Sequence, residues 1–232
     1  MLTFSSYCVD NDIILKLATF DLFEYTLNTL GIEQKQIKIL DSFKYKFIKQ
    51  IKRKRGNKSC CQVEKYNIEK ALKLNENLAR LYPEFLDNRT KDIYNQILNY
   101  NLKDDGQNNT IDQGEAILIS YISYLNQQGG SHYLLTGDKR CLRALNNSGF
   151  TNIIESLEGK VWCLEQLILK NIEKNSFENV KNKIVPFNNC DQALKVAFSH
   201  KLVTKENSKY ALQGYLKELR EETGKLLNVY GE

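Results

Sequence analysis

Residues 132–145 read HYLLTGDKRCLRAL, and the fold turns on how that stretch divides. Tyr133 to Leu135 is a short apolar run and Thr136-Gly137-Asp138 a polar turn. From Lys139 to Leu145 apolar residues recur at helical spacing, closed by Gly149. The pattern predicts a strand, an acidic turn and a helix. The N-terminus repeats it: Tyr7-Cys8-Val9 runs into Asp10-Asn11-Asp12, and Ile13, Ile14, Leu17, Phe20, Phe23 and Leu27 follow at helical spacing up to Gly31.

Between these units, residues 37–40 predict a second strand that leads through Asp41-Ser42 into a basic, helix-like run broken at Gly56-Asn57. Helices are predicted over 63–81 and 83–100, the latter with Pro83 in its first turn, and a polar loop over 103–109. Ile111-Asp112-Gln113-Gly114-Glu115 opens an apolar helix over 116–125 that ends at Gly129-Gly130. A last short strand is predicted at 152–154. Strands alternating with helices predict an α/β core over residues 1–157, a parallel sheet with helices on both faces. Beyond it, 161–172, 191–198 and 210–227 read as helices, so residues 158–232 are expected to form an all-helical extension. Trp162, at helical spacing with Leu164, Leu167 and Ile168, is expected to pack between the two.

The chain has 232 residues, 42% of them hydrophobic, with 13 Tyr and 10 Phe. That is ample for a folded core and far from a disordered composition. The net charge of +5 is concentrated: Lys38, Lys44, Lys46, Lys49, Lys52, Arg53, Lys54, Arg55 and Lys58 stand against the single acid Asp41. Such density suits a nucleic-acid backbone, bound with strong salt dependence, although it also suits a solvated helix face. The interleaved Phe43, Tyr45 and Phe47 offer rings for stacking on single-stranded bases or for core packing. Six Cys without a C-x-x-C and only two His argue against structural zinc. No segment has the uninterrupted apolar length of a membrane span, and the N-terminus lacks a secretory pattern; a reducing cytoplasm is expected.

Each acidic cluster stands at a helix start, where Asp is a favoured cap, and Asp112 with Glu115 has capping-box spacing. Yet Asp10 and Asp138 each follow a strand, and open parallel sheets bind ligands beyond the carboxyl ends of their strands. If the helix at Asp112 points the same way, three or four carboxylates converge with no paired base. They repel unless protons or a cation neutralise them. Hard oxygen ligands select Mg²⁺ or Mn²⁺, ions that commonly keep waters and substrate phosphates.

The order YCVDNDIILKLA (7–18), IDQGEAILISYI (111–122) and YLLTGDKRCLRAL (133–145) resembles the PIN-domain nucleases over roughly residues 5–157. The resemblance implies a divalent-metal site with Asp10, Glu115 and Asp138 as catalytic and metal-binding acids, Asp112 as a helper or cap, and Asp12 and Thr136 in support. Lys139 and Arg140 would join Lys49, Lys52, Arg53, Lys54 and Arg55 as phosphate contacts. The family's acid after the second strand is replaced by lysines and aromatics, with Asp41 or Glu64 as the nearest substitutes. The implied activity is Mg²⁺- or Mn²⁺-dependent phosphodiester hydrolysis, with RNA favoured over DNA as substrate and a toxin or defence role. The implied partner is an inhibitory or regulatory protein, as in toxin–antitoxin pairs; the helical tail offers a dimer surface for a second copy of the chain, a partner site or a substrate clamp. Two other readings compete. A catalytically weakened PIN-like module would bind RNA or protein. A HAD-like phosphatase would use Asp10 and Asp12 as its D-x-D pair, but it would require a further Asp soon after TGDK, where Arg140, Cys141, Leu142 and Arg143 stand instead.

Overall fold

A computed structural model describes residues 5–43, 65–101 and 110–230. The chain begins with strand β1 (Tyr7–Val9), helices α1 (Asn11–Thr19) and α2 (Phe23–Leu30), and strand β2 (Ile37–Leu40). Helix α3 (Ile68–Asn75), strand β3 (Ala79–Leu81), and helices α4 (Asn88–Asn101) and α5 (Gln113–Gln127) follow. Then come β4 (Tyr133–Leu135), α6 (Lys139–Asn147), α7 (Thr151–Leu157) and β5 (Val161–Trp162). The chain finishes with α8 (Leu164–Lys174), α9 (Phe177–Ile184), α10 (Gln192–Ala197) and α11 (Lys205–Thr223).

The five strands form one all-parallel sheet in the order β3-β2-β1-β4-β5, flanked by helices. Cys8 pairs with Lys38 on one side and Leu134 on the other, so β1 is central. It is also fully covered, as buried parallel strands are: Cys8 is 0% and Val9 1% exposed. From β1 the chain builds outward through β2 to β3, then crosses back to place β4 on the opposite side of β1. That reversal opens a crevice beyond the carboxyl ends of β1 and β4. The Asp10 amide donates to the Leu135 carbonyl at 2.9 Å, which sets the residues leaving the two strands side by side.

Several elements differ from the sequence-based expectation. The single helix over 13–31 is two helices, because the backbone turns at Asp21 with φ 56°. Asp tolerates the left-handed region better than most residues, and the Asp21 carboxylate is held by Lys70 and by Lys183, the latter at 2.7 Å. The expected helix over 63–81 stops at Asn75, and residues 79–81 pair with β2, Leu81 opposite Leu40. A strand of three residues is too short to show alternation of its own. Pro83 opens only a 3-10 turn, and α4 begins at Asn88 after Asp87 accepts from the Thr90 amide at 3.0 Å.

The strand expected at 152–154 lies inside α7, and the fifth strand is Val161–Trp162, with Leu134 opposite Val161. The sheet is therefore completed beyond residue 157, by residues expected to start a helix. The helical part begins at Leu164. The chain end returns to the same edge: the Val161 amide donates to Leu226 at 3.1 Å and the Asn228 amide to Val161 at 2.8 Å. One buried hydrophobic cluster runs from Ile13, Ile37 and Leu134 into Phe198, Leu212 and Leu216 of the tail. Trp162 is buried and its ring lies 5.6 Å from that of Tyr230. Among the described residues the cysteines, Cys8, Cys141, Cys163 and Cys190, are free and buried, and no helix is long and apolar enough to cross a membrane.

Candidate active site

Three helices start where the sheet's crevice opens. Asp10, extended at the end of β1, caps α1, its Oδ1 accepting from the Asn11 amide at 2.7 Å. Asp138 follows β4 across the Thr136-Gly137 turn and caps α6: its Oδ1 accepts from the Arg140 amide at 2.8 Å and the Cys141 amide at 3.1 Å. Asp112 caps α5 in a reciprocal box, accepting from the Glu115 amide at 2.8 Å while its own amide donates to Glu115 Oε2 at 3.0 Å. Each of these three aspartates is thus a helix cap, as its spacing suggests, and Glu115 completes the box at Asp112. All four also line one cleft of about 580 Å³, so capping and convergence coexist.

The electrostatics show that the acids act on one another. Glu115 is 7% exposed, and its carboxyl is pushed up to about 8, first by burial and then by the neighbouring Asp112, Asp138 and Asp10, against the pull of the Asp112 amide. Asp138 moves the other way. Burial works against its charge, but Arg140 and the helix amides outweigh it and hold the carboxyl below the usual range. Arg140 reaches it with Nη2 at 2.7 Å from Oδ2 and Nε at 3.4 Å from Oδ1. Thr136, 2% exposed, accepts the Asp138 amide at 3.1 Å and so shapes the turn.

Among the described residues no three His, Cys, Asp or Glu side chains are set as a ready-made metal cage. The reason is visible in the hydrogen bonds: Glu115 folds back on Asp112, and Asp138 faces Arg140. The donor set still matches a hard divalent cation, since it is all oxygen and one carboxylate is buried among others that repel its charge. A cation held there would need Glu115 deprotonated, and it would compete with Arg140 for Asp138.

Other predicted residues are placed differently. Asp12 lines the cleft, but it is ion-paired with Lys16 at 2.6 Å. Lys139 is turned to Glu165 at 2.5 Å and stands 5.2 Å over the Tyr215 ring, so it is bound within the protein rather than free for a phosphate. Asp41 approaches Arg80 at 3.5 Å and is not among the residues lining the cleft. Lys49, Lys52, Arg53, Lys54, Arg55 and Glu64 lie outside the described residues.

Sequence reasoning missed the wall opposite the acids. Asp191, Gln192 and Ala193 at the start of α10, Tyr215 of α11 and Tyr66 line the same cleft. Lys16, 6% exposed, ties this wall to α1 by pairing with Asp191 at 2.8 Å as well as with Asp12. Burial opposes the Lys16 charge, but the two carboxylates together outweigh it and hold the lysine above its ordinary range. Asp191 carries an N-cap signal in the sequence, yet nothing local announces a partner on α1. Compared with protein-family models, curated proteins and solved structures, the chain has no match.

Proposed function

We propose that the chain is an Mg²⁺- or Mn²⁺-dependent nuclease hydrolysing phosphodiester bonds, an endoribonuclease of toxin or defence type built on a PIN-like core. The observation that carries this reading is the meeting of Asp10, Asp112, Glu115 and Asp138 in one cleft at the reversal point of a parallel sheet, with Glu115 kept protonated toward neutral pH by burial first and by its neighbours second. Asp10 follows the first strand and Asp138 the fourth, the order on which the family resemblance rests. Asp10, Glu115 and Asp138 would hold the cation, with Asp112 keeping Glu115 in place. When bound, the cation lowers the pKa of water and offsets charge building on the phosphate. Arg140, exposed at the cleft rim and released from Asp138, would face the phosphate backbone; the helix starts of α1, α5 and α6 add positive ends toward the same space.

Asn caps a helix about as well as Asp, so Asp10→Asn and Asp138→Asn remove charge and keep the caps. Single-stranded RNA and DNA are incubated with each protein, with and without Mn²⁺. Expected are metal-dependent cleavage by the native chain, faster on RNA, and loss of at least about 100-fold in each variant, the scale on which charged active-site groups act. Cutting that survives both substitutions rejects the reading.

A second reading has its own support. Asp138 is already neutralised by Arg140, and the acids are bound within the protein. Such a site suits a PIN-like module that binds RNA or a protein without cutting. Undiminished RNA binding with no cleavage under any metal favours it. Release of phosphate from small esters favours a HAD-like phosphatase instead, although Asp12, its required acid, is committed to Lys16.

A further inference from the structure

Asn11 is the side chain in the cleft whose chemistry is unexplained by the fold. It is 7% exposed, and its Oδ1 is buried without a hydrogen-bond partner. The residue directly follows Asp10 and lines two cavities, the main cleft and a recess of about 300 Å³ bounded by Leu40, Ser42, Gln113 and Gly114. The two cavities share Asp10, Asn11 and Asp112. The recess is open because residue 114 is glycine: a Cβ there would stand 2.8 Å from Leu40 Cδ1.

An unpaired buried acceptor is costly, and proteins rarely leave one without a use. Helix capping does not account for it, since the cap of α1 is Asp10. Nor does an ion pair, since the neighbouring cation, Lys16, is taken by Asp12 and Asp191. Asp10, Asp12 and Asp112, which line the same cavities, offer acceptors only, and Ser42 and Gln113 at the recess make no hydrogen bond to the amide oxygen. A cation satisfies both the repelling acids and an amide oxygen beside them, because hard divalent ions accept Asn carbonyl oxygens together with carboxylates.

We propose that Asn11 is a further ligand of the divalent-metal site, supplying a neutral oxygen beside Asp10 and in place of the acid expected after β2. The inference rests on the metal-site reading above. It also extends that reading: the missing acid after the second strand is compensated from α1, and the cation sits where the cleft and the recess meet. A neutral ligand there adds coordination without adding a fifth negative charge to a crowded cluster.

The test is Mn²⁺ binding to the full chain by titration calorimetry, with the thermal stability of the metal-free protein measured alongside. Asn11→Leu keeps shape and removes the oxygen; Asn11→Asp keeps an oxygen and adds charge. Expected are a weakening of Mn²⁺ affinity by at least about tenfold in Asn11→Leu, and a metal-free melting temperature equal to or above the native one, because an unsatisfied acceptor has been removed. A residue with a purely structural role would lower stability and leave the affinity alone. Native-like Mn²⁺ affinity in Asn11→Leu, with affinity lost in Asp10→Asn, overturns the role of Asn11 and leaves the metal site standing. Absence of Mn²⁺ binding by the native protein overturns both. If Asn11→Leu fails to fold, Asn11→Asp decides: affinity at least equal to native supports the proposal, and affinity reduced as far as in Asp10→Asn overturns it.

Discussion

Glu115 shows how one residue carries two roles that pull against each other. Its carboxylate completes the capping box of α5, yet it is buried beside three other acids. Its folded-state value of about 8 lies above the ordinary 4.5. Between those values the folded chain holds a proton that the unfolded chain has released, so stability is full below about 4.5 and is lost as pH rises through about 8. Glu115→Gln preserves the box and abolishes the titration. Denaturant unfolding at pH 5 and pH 8 is expected to show the native protein losing on the order of a few kcal/mol across that window and the variant losing little; added Mn²⁺ should flatten the native curve as well. Equal slopes in both proteins would mean that Glu115 is solvated. Gly137 is the complementary case. A Cβ there would fall 2.5 Å from Asp12 Oδ2 and 3.5 Å from Lys16 Nζ. Gly137→Ala is therefore expected to push the Asp12 carboxylate away from Lys16 and to lower stability by up to about 1 kcal/mol, the scale of a partly exposed ion pair, measured by thermal unfolding.

At the level of elements, the cleft is made by helix starts and held by one lysine. Lys16 lies on α1 and pairs with the carboxylate that caps α10, 175 positions away in sequence. Removing one member of a buried pair is worse than never having had it, because the remaining charges stay in place without compensation. Lys16→Met leaves Asp191 and the half-exposed Asp12 facing each other. It is expected to destabilise the chain by about 3 kcal/mol, less in a background that also carries Asp191→Asn, and a double-mutant cycle by chemical denaturation measures the coupling. Additive effects of the two substitutions would show that α10 is held by its apolar contacts alone. Asp191→Asn by itself keeps the α10 cap and isolates the ion pair.

For the whole molecule, the boundary at 157 suggested by the change in pattern cuts through the sheet. The segment 1–157 lacks β5, the strand end that receives Leu226 and Asn228, and the tail residues that share the hydrophobic cluster. It is expected to lack a cooperative unfolding transition in calorimetry, whereas the full chain has one; a cooperative melt of the fragment would restore the two-part division. Three of the five strands carry signals that local patterns reveal. Tyr7–Val9, Ile37–Leu40 and Tyr133–Leu135 stand out as apolar runs before acids or polar turns, while Ala79–Leu81 hides behind a helical period. Val161–Trp162 has too few residues for any period, and only its pairing with Leu134 makes it a strand. The acids were legible because capping is a local grammar: Asp10, Asp112 and Asp138 each begin a helix within one turn of their partners. Asn11, Lys16 and Tyr215 carry no such local mark, and the capping signal of Asp191 does not reveal its partner on α1. By itself, then, the sequence determined where strands hand over to helices and which acids stand at those junctions, since periodicity and capping act across a few neighbouring residues. Tertiary structure alone decided that those junctions share a cleft, that Lys16 ties α1 to the start of α10, and that the tail lines the same cleft. Those outcomes depend on the crossover that returns the chain to the far side of β1 and on contacts between residues more than a hundred positions apart.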